Sequence, residues 1–368
     1  MKKLLMALLI CLPLVILGAC RNKDSGSAAG GGSATGSGAL KVALLINGNL
    51  GDKSFHDSAN NGLAMIKDRL GCATKVVEVG YDDSKWEPAL RDLCDEKHDI
   101  VICGTWQMQE LVAKVAPDYP DQKIIVYDTS MDYAADSGKL FKNIYSIEYK
   151  QNEGSYLAGV LAAAMSKTGI IGFVGGMDNT VIRDFLVGYI QGAQDYNKNI
   201  KAIPSFVGNF SDTAKAKELT FAQYQMGADV VFSVAANAGE GTLQAAKERN
   251  HLVIGVDSDQ AMLYQNSDPV LADLIMSSML KRVDQSLFLA VQQALAGTLA
   301  WGTRVELGIN EDCVGLADNP IYQKVVPSDV RSAVAGYNDR IKANQIQALT
   351  AFGMDQNSFT ALVNQVRP

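Results

Sequence analysis

Short apolar segments rich in β-branched residues alternate with helix-like segments from Leu40 onward, and this alternation constrains the fold more than any other feature of the sequence. The first strand-like segments cover residues 41–46, 75–79, 100–103, 124–127 and 144–147. Between the first two, apolar residues from Phe55 to Leu70 recur at helical spacing. Strands that alternate with helices in this way predict a parallel sheet with helices on both faces.

The same alternation restarts after Asn152 and predicts a second unit of similar size. The predicted helices of this unit cover residues 153–165, 185–196, 212–226 and 240–249, and its predicted strands cover 170–174, 202–207, 230–234 and 252–256. A further helix is predicted over residues 271–296.

We predict that the two units form two α/β lobes. Lobe 1 is expected to hold residues 40–147 plus 259–303, and lobe 2 residues 148–258 plus 304–368. The chain then passes between the lobes three times. Such a connection allows a hinge to bend without unfolding either core.

The loops after the strands hold most of the candidate ligand-binding residues. Ligands of open α/β sheets bind beyond the carboxyl ends of the strands, so two facing lobes would form a cleft lined by these loops. The candidates are Asn47, Ser54, Phe55, His56, Trp106 and Asp128 in the first unit, and Phe206, Gly239 and Asp257 in the second. Trp106 offers a stacking surface, whereas Phe55 also fits the first buried turn of a helix. The glycine-rich loops do not match phosphate-binding patterns.

The first residues of the chain predict export. Lys2 and Lys3 precede an apolar stretch too short to span a bilayer, which indicates a signal peptide over residues 1–19. The stretch ends in Leu-Gly-Ala followed by Cys20, the pattern at which a lipid is attached to the cysteine before cleavage; a plain secretory signal is the alternative. Residues 20–39 then comprise the lipid-bearing Cys20 and a flexible linker rich in Gly and Ser.

Charge and cysteine usage exclude some classes of partner and leave others open. The net charge of −7, without a basic patch, argues against nucleic-acid binding. After export, four cysteines remain that could form disulfides, although Cys103 lies in an apolar segment and is expected in the core. They are Cys72, Cys94, Cys103 and Cys313. The three histidines lack the spacing of metal ligands, so neither a metal nor a cofactor is expected.

Several short motifs give the chain a resemblance to a known family. They lie at residues 51–55, 153–159, 175–176, 185–188, 207–212, 227–230, 255–260 and 277–283. In this order they resemble the basic membrane proteins, the purine nucleoside receptor family of ABC-transporter substrate-binding lipoproteins, over residues 41–344. The resemblance implies a type I periplasmic-binding fold, in which two α/β lobes are joined by three crossover strands and close on a nucleoside.

The resemblance also implies roles for individual residues. The base is expected to lie between aromatic rings, one at Phe55 and another on the strand that holds Phe206. Asp128 is expected to face the base, while Asp257 and Lys281 serve the ribose hydroxyls. The loop around Gly239 is expected to add backbone groups. A structural ion pair between Asp257 and Lys281 is the alternative for those two residues.

Departures from the family pattern cluster in the first loop. The family usually has Asn at the position of His56, an acidic residue at that of Asn47, and often an aromatic residue near Asn60. These departures affect the identity of the ligand more than the fold. A riboflavin-binding branch of the family exists, and Trp106 would suit an isoalloxazine ring as well as a purine.

The resemblance therefore predicts a lipid-anchored receptor without enzymatic activity at the cell membrane, facing the periplasm or the exterior. It is expected to act as a monomer that captures adenosine, guanosine or inosine and delivers it to the permease and ATPase subunits of an ABC importer. The alternatives are a riboflavin receptor and a sensor or adhesin that takes no part in transport. More remote is an extracellular nucleoside-processing enzyme, since the sequence has no G-x-S-x-G motif and no clustered Asp motif at its start.

Overall fold

The structure, a computed structural model, describes residues 39–368. The predicted signal peptide, the lipidation of Cys20 and most of the linker lie outside the described residues. From Ala39 to Pro368 the chain forms one compact unit built on two six-stranded sheets. The two α/β units predicted from the sequence are therefore confirmed.

Sheet 1 is built mainly from the first unit, and its strands run in the order β11-β5-β4-β3-β1-β2. The elements up to the first crossing are β1 (Lys41–Ile46), α1 (Phe55–Leu70), β2 (Ala73–Glu78), α2 (Trp86–Asp95), β3 (Ile100–Gly104), α3 (Met108–Val115), β4 (Lys123–Tyr127) and β5 (Ile144–Tyr149). All pairs in this sheet are parallel. Helices cover both faces, so residues 42–46 of β1 are completely buried.

Sheet 2 has the strand order β12-β10-β9-β8-β6-β7, and only its edge strand β12 is antiparallel. Its first elements are α4 (Gln151–Met165), β6 (Ile170–Gly175), α5 (Thr180–Tyr196), β7 (Lys201–Phe206), α6 (Thr213–Gln225), β8 (Val230–Val234), α7 (Gly239–Arg249) and β9 (Leu252–Asp257). The remaining elements of the chain are α8 (Gln260–Tyr264), α9 (Pro269–Leu274), β10 (Ile275–Lys281), α10 (Val283–Leu295), β11 (Thr303–Leu307), β12 (Val314–Leu316), α11 (Pro320–Val325), α12 (Ser328–Lys342) and α13 (Gln356–Val366).

The prediction of a helix over residues 271–296 is wrong. This segment is interrupted by β10, which lies between β12 and β9 in sheet 2 and pairs in parallel with β9. Nearly all of β10 is buried because both of its faces are covered, so its sequence lacks the alternation that would have distinguished it from a helix.

This strand also changes the predicted lobe boundaries. Residues 259–281 accompany sheet 2 and not sheet 1, whereas β11, most of which was assigned to lobe 2, pairs with β5 in sheet 1. We therefore define lobe 1 as sheet 1 with α1–α3 and α10, and lobe 2 as sheet 2 with the other helices.

The chain crosses between the lobes at Lys150, at Arg282 and at residues 308–313. Backbone hydrogen bonds tie these segments together, because Lys150 N–H donates to the Leu307 carbonyl at 2.9 Å and Arg282 N–H to the Cys313 carbonyl at 2.8 Å. The three crossing segments thus lie side by side and form the hinge.

The four cysteines Cys72, Cys94, Cys103 and Cys313 are buried, and within residues 39–368 none forms a disulfide. Cys103 lies in the core on β3, as predicted. In the same part of the chain, no helix combines the length and apolar character needed to cross a membrane.

Helices α4 and α5 pack unusually closely because glycines face backbone on the opposite helix. A Cβ atom at Gly159 would overlap the carbonyl of Tyr189, and one at Gly192 would overlap the carbonyl of Tyr156. A Cβ atom at Gly188 would likewise meet the backbone of Asn152. These glycines are therefore required by the contact between the helices and not by a turn.

We expect Gly192→Ala to destabilise the protein by about 1–3 kcal/mol, because its methyl group has no space against the α4 backbone. The matched control is Gly336→Ala in α12, where no described heavy atom lies within 4 Å of the new Cβ. This control should stabilise by about 0.5–1 kcal/mol through helix propensity. Urea unfolding of both variants measures the difference, and equal effects would contradict the packing argument.

Candidate ligand-binding cleft

The carboxyl ends of the strands of both sheets face each other across a cavity between the lobes. Lobe 1 contributes Asn47, Phe55, His56, Tyr81, Thr105, Trp106, Gln107 and Asp128 to its wall. Lobe 2 contributes Asn179, Val181, Ile182, Phe185, Phe210, Val234, Ala236, Val256, Asp257 and Lys281. Six of the residues predicted from strand ends or their following loops thus meet in one place: Asn47, Phe55, His56, Trp106, Asp128 and Asp257.

Four strands end at this cavity in a residue with left-handed backbone. The φ angles are 73° at Thr105 after β3, 61° at Asp128 after β4, 45° at Ala236 after β8 and 64° at Asp257 at the end of β9. This conformation is uncommon for residues other than glycine and persists only where the surrounding structure holds it. Each of these residues turns the chain sharply where its strand ends, so its side chain or backbone lines the cavity.

Lys281 is the central charge of the cavity and is 1% exposed. Its ammonium group donates a hydrogen bond to the Asp128 carboxylate. It also lies 5.4 Å from the ring centre of Phe55, 5.0 Å from that of Tyr149 and 5.3 Å from that of Phe185. A carboxylate and three ring faces together offset the cost of burying this cation.

Asp257 is a second buried carboxyl group close to Lys281. Its Oδ2 accepts a hydrogen bond from the Ser54 hydroxyl across the cleft. Burial raises the pKa of Asp257 to about 7, although Lys281 and Ser54 act in the opposite direction. Burial also raises the pKa of Asp128, again opposed by Lys281. The site therefore has two carboxyl groups and one ammonium group. Of these, Asp257 changes between its protonated and ionised forms near neutral pH.

Polar contacts hold the lobes closed at one side of the cavity. The Ser258 hydroxyl donates to the Ser54 carbonyl at 3.2 Å, and Gln260 Nε2 donates to the Lys53 carbonyl at 3.3 Å. Lys53 also forms an ion pair with Glu240 at 3.4 Å. The loop before α1 is therefore joined to the segment after β9, and the structure represents a closed arrangement.

The second aromatic side chain was predicted at Phe206, but the structure does not place it on the cavity wall. Phe206 ends β7 and packs edge-on against Phe173, with ring centres 6.4 Å apart. Phe210, four residues further along the same segment, lines the cavity instead. A Cβ atom at Gly176 would overlap the Phe210 ring, so the absence of a side chain at Gly176 leaves space for that ring.

Two other predicted residues, Gly239 and Ser54, lie behind the residues that line the cavity. Gly239 begins α7 and packs close to Ser233, while Ala236 of the same loop lines the cavity. Ser54 is fully buried and acts on the cavity through its hydrogen bond to Asp257. Lys281, predicted from the resemblance, lies at the centre of the site.

Several wall residues were not predicted from the sequence. Tyr81 follows β2, Asn179 is the N-cap of α5, and Phe185 lies within α5. Tyr81 and Asn179 also sit just beyond strands, so the rule that marked the other candidates would have found them. No signal of this kind marks Phe185, because its spacing is that of an ordinary buried helix face.

Two lobes, a hinge of three crossing segments and a closed cavity at the strand ends define a two-lobed ligand-binding protein. Residues 39–347 match the family described as Bmp, ABC transporter substrate-binding protein PnrA-like, and the chain belongs to that family. Its fold is the type I periplasmic-binding fold that the resemblance implied.

Individual relatives agree with this assignment. The chain is 29% identical to basic membrane protein A2 of Borrelia garinii subsp. bavariensis over 94% of this chain and 96% of the relative. It is 28% identical to the CD4+ T-cell-stimulating antigen of Listeria monocytogenes over 94% and 99%. Among solved structures, a solute-binding protein of an ABC transporter system from Aeropyrum pernix superimposes with a TM-score of 0.76 at 25% identity, over 89% of this chain and 97% of that one.

The raised pKa of Asp257 predicts a pH dependence of stability. Its contribution is fully present below the ordinary value of 3.8 and is lost as the pH rises to about 7, because the folded protein holds the proton more tightly than the unfolded chain. The free energy of unfolding of the wild type, relative to Asp257→Asn, should therefore fall between about pH 4 and pH 7. Exposed Asp121→Asn is the control. A difference that is constant with pH would rule out a buried, titrating Asp257.

Proposed function

We propose that this protein captures a purine nucleoside in the cavity between its lobes. The observation that carries the proposal is the combination, in the wall of one cavity, of aromatic rings from both lobes with buried charged groups. Phe55 and Phe210 come from opposite lobes, and a flat base fits between two such rings. Asp257 and Lys281 supply an acceptor and a donor of the kind that buried ribose hydroxyls require.

The closed arrangement supports capture. A ligand that contacts residues of both lobes stabilises the closed state by the difference between its affinities for the closed and open states. The hinge segments permit this motion, and the contacts of Ser54 with Asp257 and Ser258 would form only on closure.

The partner we propose is the permease of an ABC importer with its ATPase subunits. Membership of a family of ABC transporter substrate-binding proteins supports this partner. The sequence around Cys20 supports a lipid anchor, which would hold the cavity at the outer side of the cytoplasmic membrane as a monomeric receptor. In this function the protein binds and releases its ligand without converting it.

One observation favours riboflavin as a second candidate. Trp106 lines the cavity and also an adjoining pocket, and the residue is 38% exposed. An isoalloxazine ring is longer than a purine and would extend from the cavity toward this side chain.

Calorimetric titration of the ligand-free protein with adenosine, guanosine, inosine and riboflavin tests the proposal. We expect one nucleoside per protein molecule. Phe55→Ala and Asp257→Ala should each weaken binding at least about 10-fold, through lost stacking and a lost charged acceptor. Phe206→Ala is the matched control, because this ring lies off the cavity wall and its loss should change affinity by less than about 3-fold.

Each other outcome has a distinct meaning. Binding of riboflavin alone would replace the nucleoside with a flavin, and binding of none of the four would refute the proposal. Consumption of the nucleoside would identify an enzyme. Unchanged nucleoside uptake by a strain that lacks the protein would contradict delivery to a permease and favour a sensor.

A further inference from the structure

Buried polar atoms without partners are concentrated in the cavity. Within residues 39–368, ten buried side-chain nitrogen or oxygen atoms have no hydrogen-bond partner. Four of them belong to residues that line this one cavity: Asn47 Oδ1, His56 Nδ1, the Tyr81 hydroxyl and Asn179 Nδ2. Buried polar groups are almost always paired, so such a cluster indicates atoms that are completed by a ligand.

The hydrogen bonds of Asn47 fix which of its atoms remains free. Its Nδ2 donates to Thr105 Oγ1 at 2.7 Å, and the Thr105 hydroxyl in turn donates to Gln107 Oε1 at 3.3 Å. The Thr105 hydroxyl has one proton, which it donates to Gln107, so it can only accept a hydrogen bond from Asn47. The free atom of Asn47 is therefore Oδ1, an acceptor, on a side chain that is 2% exposed.

The hydrogen bonds of Asn179 leave a donor free and not an acceptor. It is the N-cap of α5, and its Oδ1 accepts the backbone N–H of Ile182 at 3.0 Å. Its Nδ2 is therefore a donor, and in the described part of the chain it meets no acceptor. The cavity thus presents one unsatisfied acceptor from lobe 1 and one unsatisfied donor from lobe 2.

The carboxyl groups of Asp128 and Asp257 each have a hydrogen-bond partner within the protein. Asp128 accepts from Lys281, and Asp257 accepts from Ser54. Asn47 Oδ1 and Asn179 Nδ2 have no such partner among the described residues, so a polar base edge can complete both. His56 and Tyr81 lie in the same wall, and each can donate or accept, so they can adapt to either group of the base.

We propose that Asn47 and Asn179 are the residues that determine base specificity, with Asn47 Oδ1 accepting an N–H of the base and Asn179 Nδ2 donating to a ring nitrogen or carbonyl oxygen. This inference rests on the proposed function and names the chemistry of its ligand. The base must carry an N–H donor on its polar edge, which adenosine, guanosine and inosine all do. Purine riboside, which lacks every exocyclic group and any base N–H, leaves Asn47 Oδ1 unpaired.

Titration of the wild type with adenosine, inosine and purine riboside tests the role of Asn47. We expect purine riboside to bind at least about 30-fold more weakly than the other two, because a site built around a hydrogen bond rejects a ligand that lacks it. Asn47→Leu removes the acceptor at similar volume and should reduce this discrimination to less than about 3-fold. Asn47→Asp keeps an acceptor and should preserve the discrimination.

Asn179→Asp tests the donor, because it keeps the oxygen that caps α5 and removes only the N–H group. We expect affinity for adenosine and inosine to fall about 10-fold. Urea unfolding of the variant should remain within about 0.5 kcal/mol of the wild type, since the cap is retained. Asn179→Ala, which loses the cap as well, should lower both affinity and stability.

The outcomes separate this inference from the proposed function. If the wild type binds all three nucleosides within about 3-fold of one another, the nucleoside function stands and the role of Asn47 is wrong. Discrimination that survives in Asn47→Leu would also overturn that role. Unchanged affinity in Asn179→Asp would overturn the role of Asn179. Failure of every nucleoside to bind would refute both proposals together.

Discussion

The ion pair between Lys281 and Asp128 joins the two lobes in the wall of the cavity between them. Asp128 follows β4 in lobe 1, and Lys281 ends β10 in lobe 2. Removing one partner of such a buried pair costs about 3–5 kcal/mol, because the other charge is left without compensation. In an open form, water would solvate both groups. In the closed arrangement the pair is largely withdrawn from water, together with the rings around Lys281.

The shape of the cavity wall around this pair depends more on backbone conformation than on the size of the side chains. Left-handed residues end β3, β4, β8 and β9, and Gly176 leaves the space that Phe210 fills. The close approach of α4 and α5 fixes the helix that carries Asn179 and Phe185. These features belong to the backbone of the folded lobes and not to flexible side chains, which lowers the entropic cost of ordering the site around a ligand.

Much of the fold followed from the sequence because alternating strands and helices leave few arrangements, and the strand ends then identified Asp128 and Asp257 as candidates for the cleft wall. The failures have physical causes. Residues 275–281 are buried on both faces, so hydrophobicity alone could not separate a strand from a helix. Phe206 and Phe210 share one segment, and Phe206 packs against Phe173 while Gly176 leaves space for the Phe210 ring, contacts that the sequence does not reveal. The orientation of the Asn179 amide depends on a hydrogen bond from the Ile182 N–H, which spacing along the chain does not reveal.

The late position of β11 in the sequence affects how the protein acquires its structure. Sheet 1 needs residues 303–307 to cover the edge of β5, which ends at Tyr149, and all of sheet 2 except its edge strand β12 lies between them in the chain. A chain that folds from its N-terminus must therefore hold an uncovered strand edge until most of its length is available. Exposed edges of this kind invite pairing with other chains, and contacts so distant in sequence form slowly. Sheet 1 is therefore completed only by a segment that follows nearly all of sheet 2 in the chain.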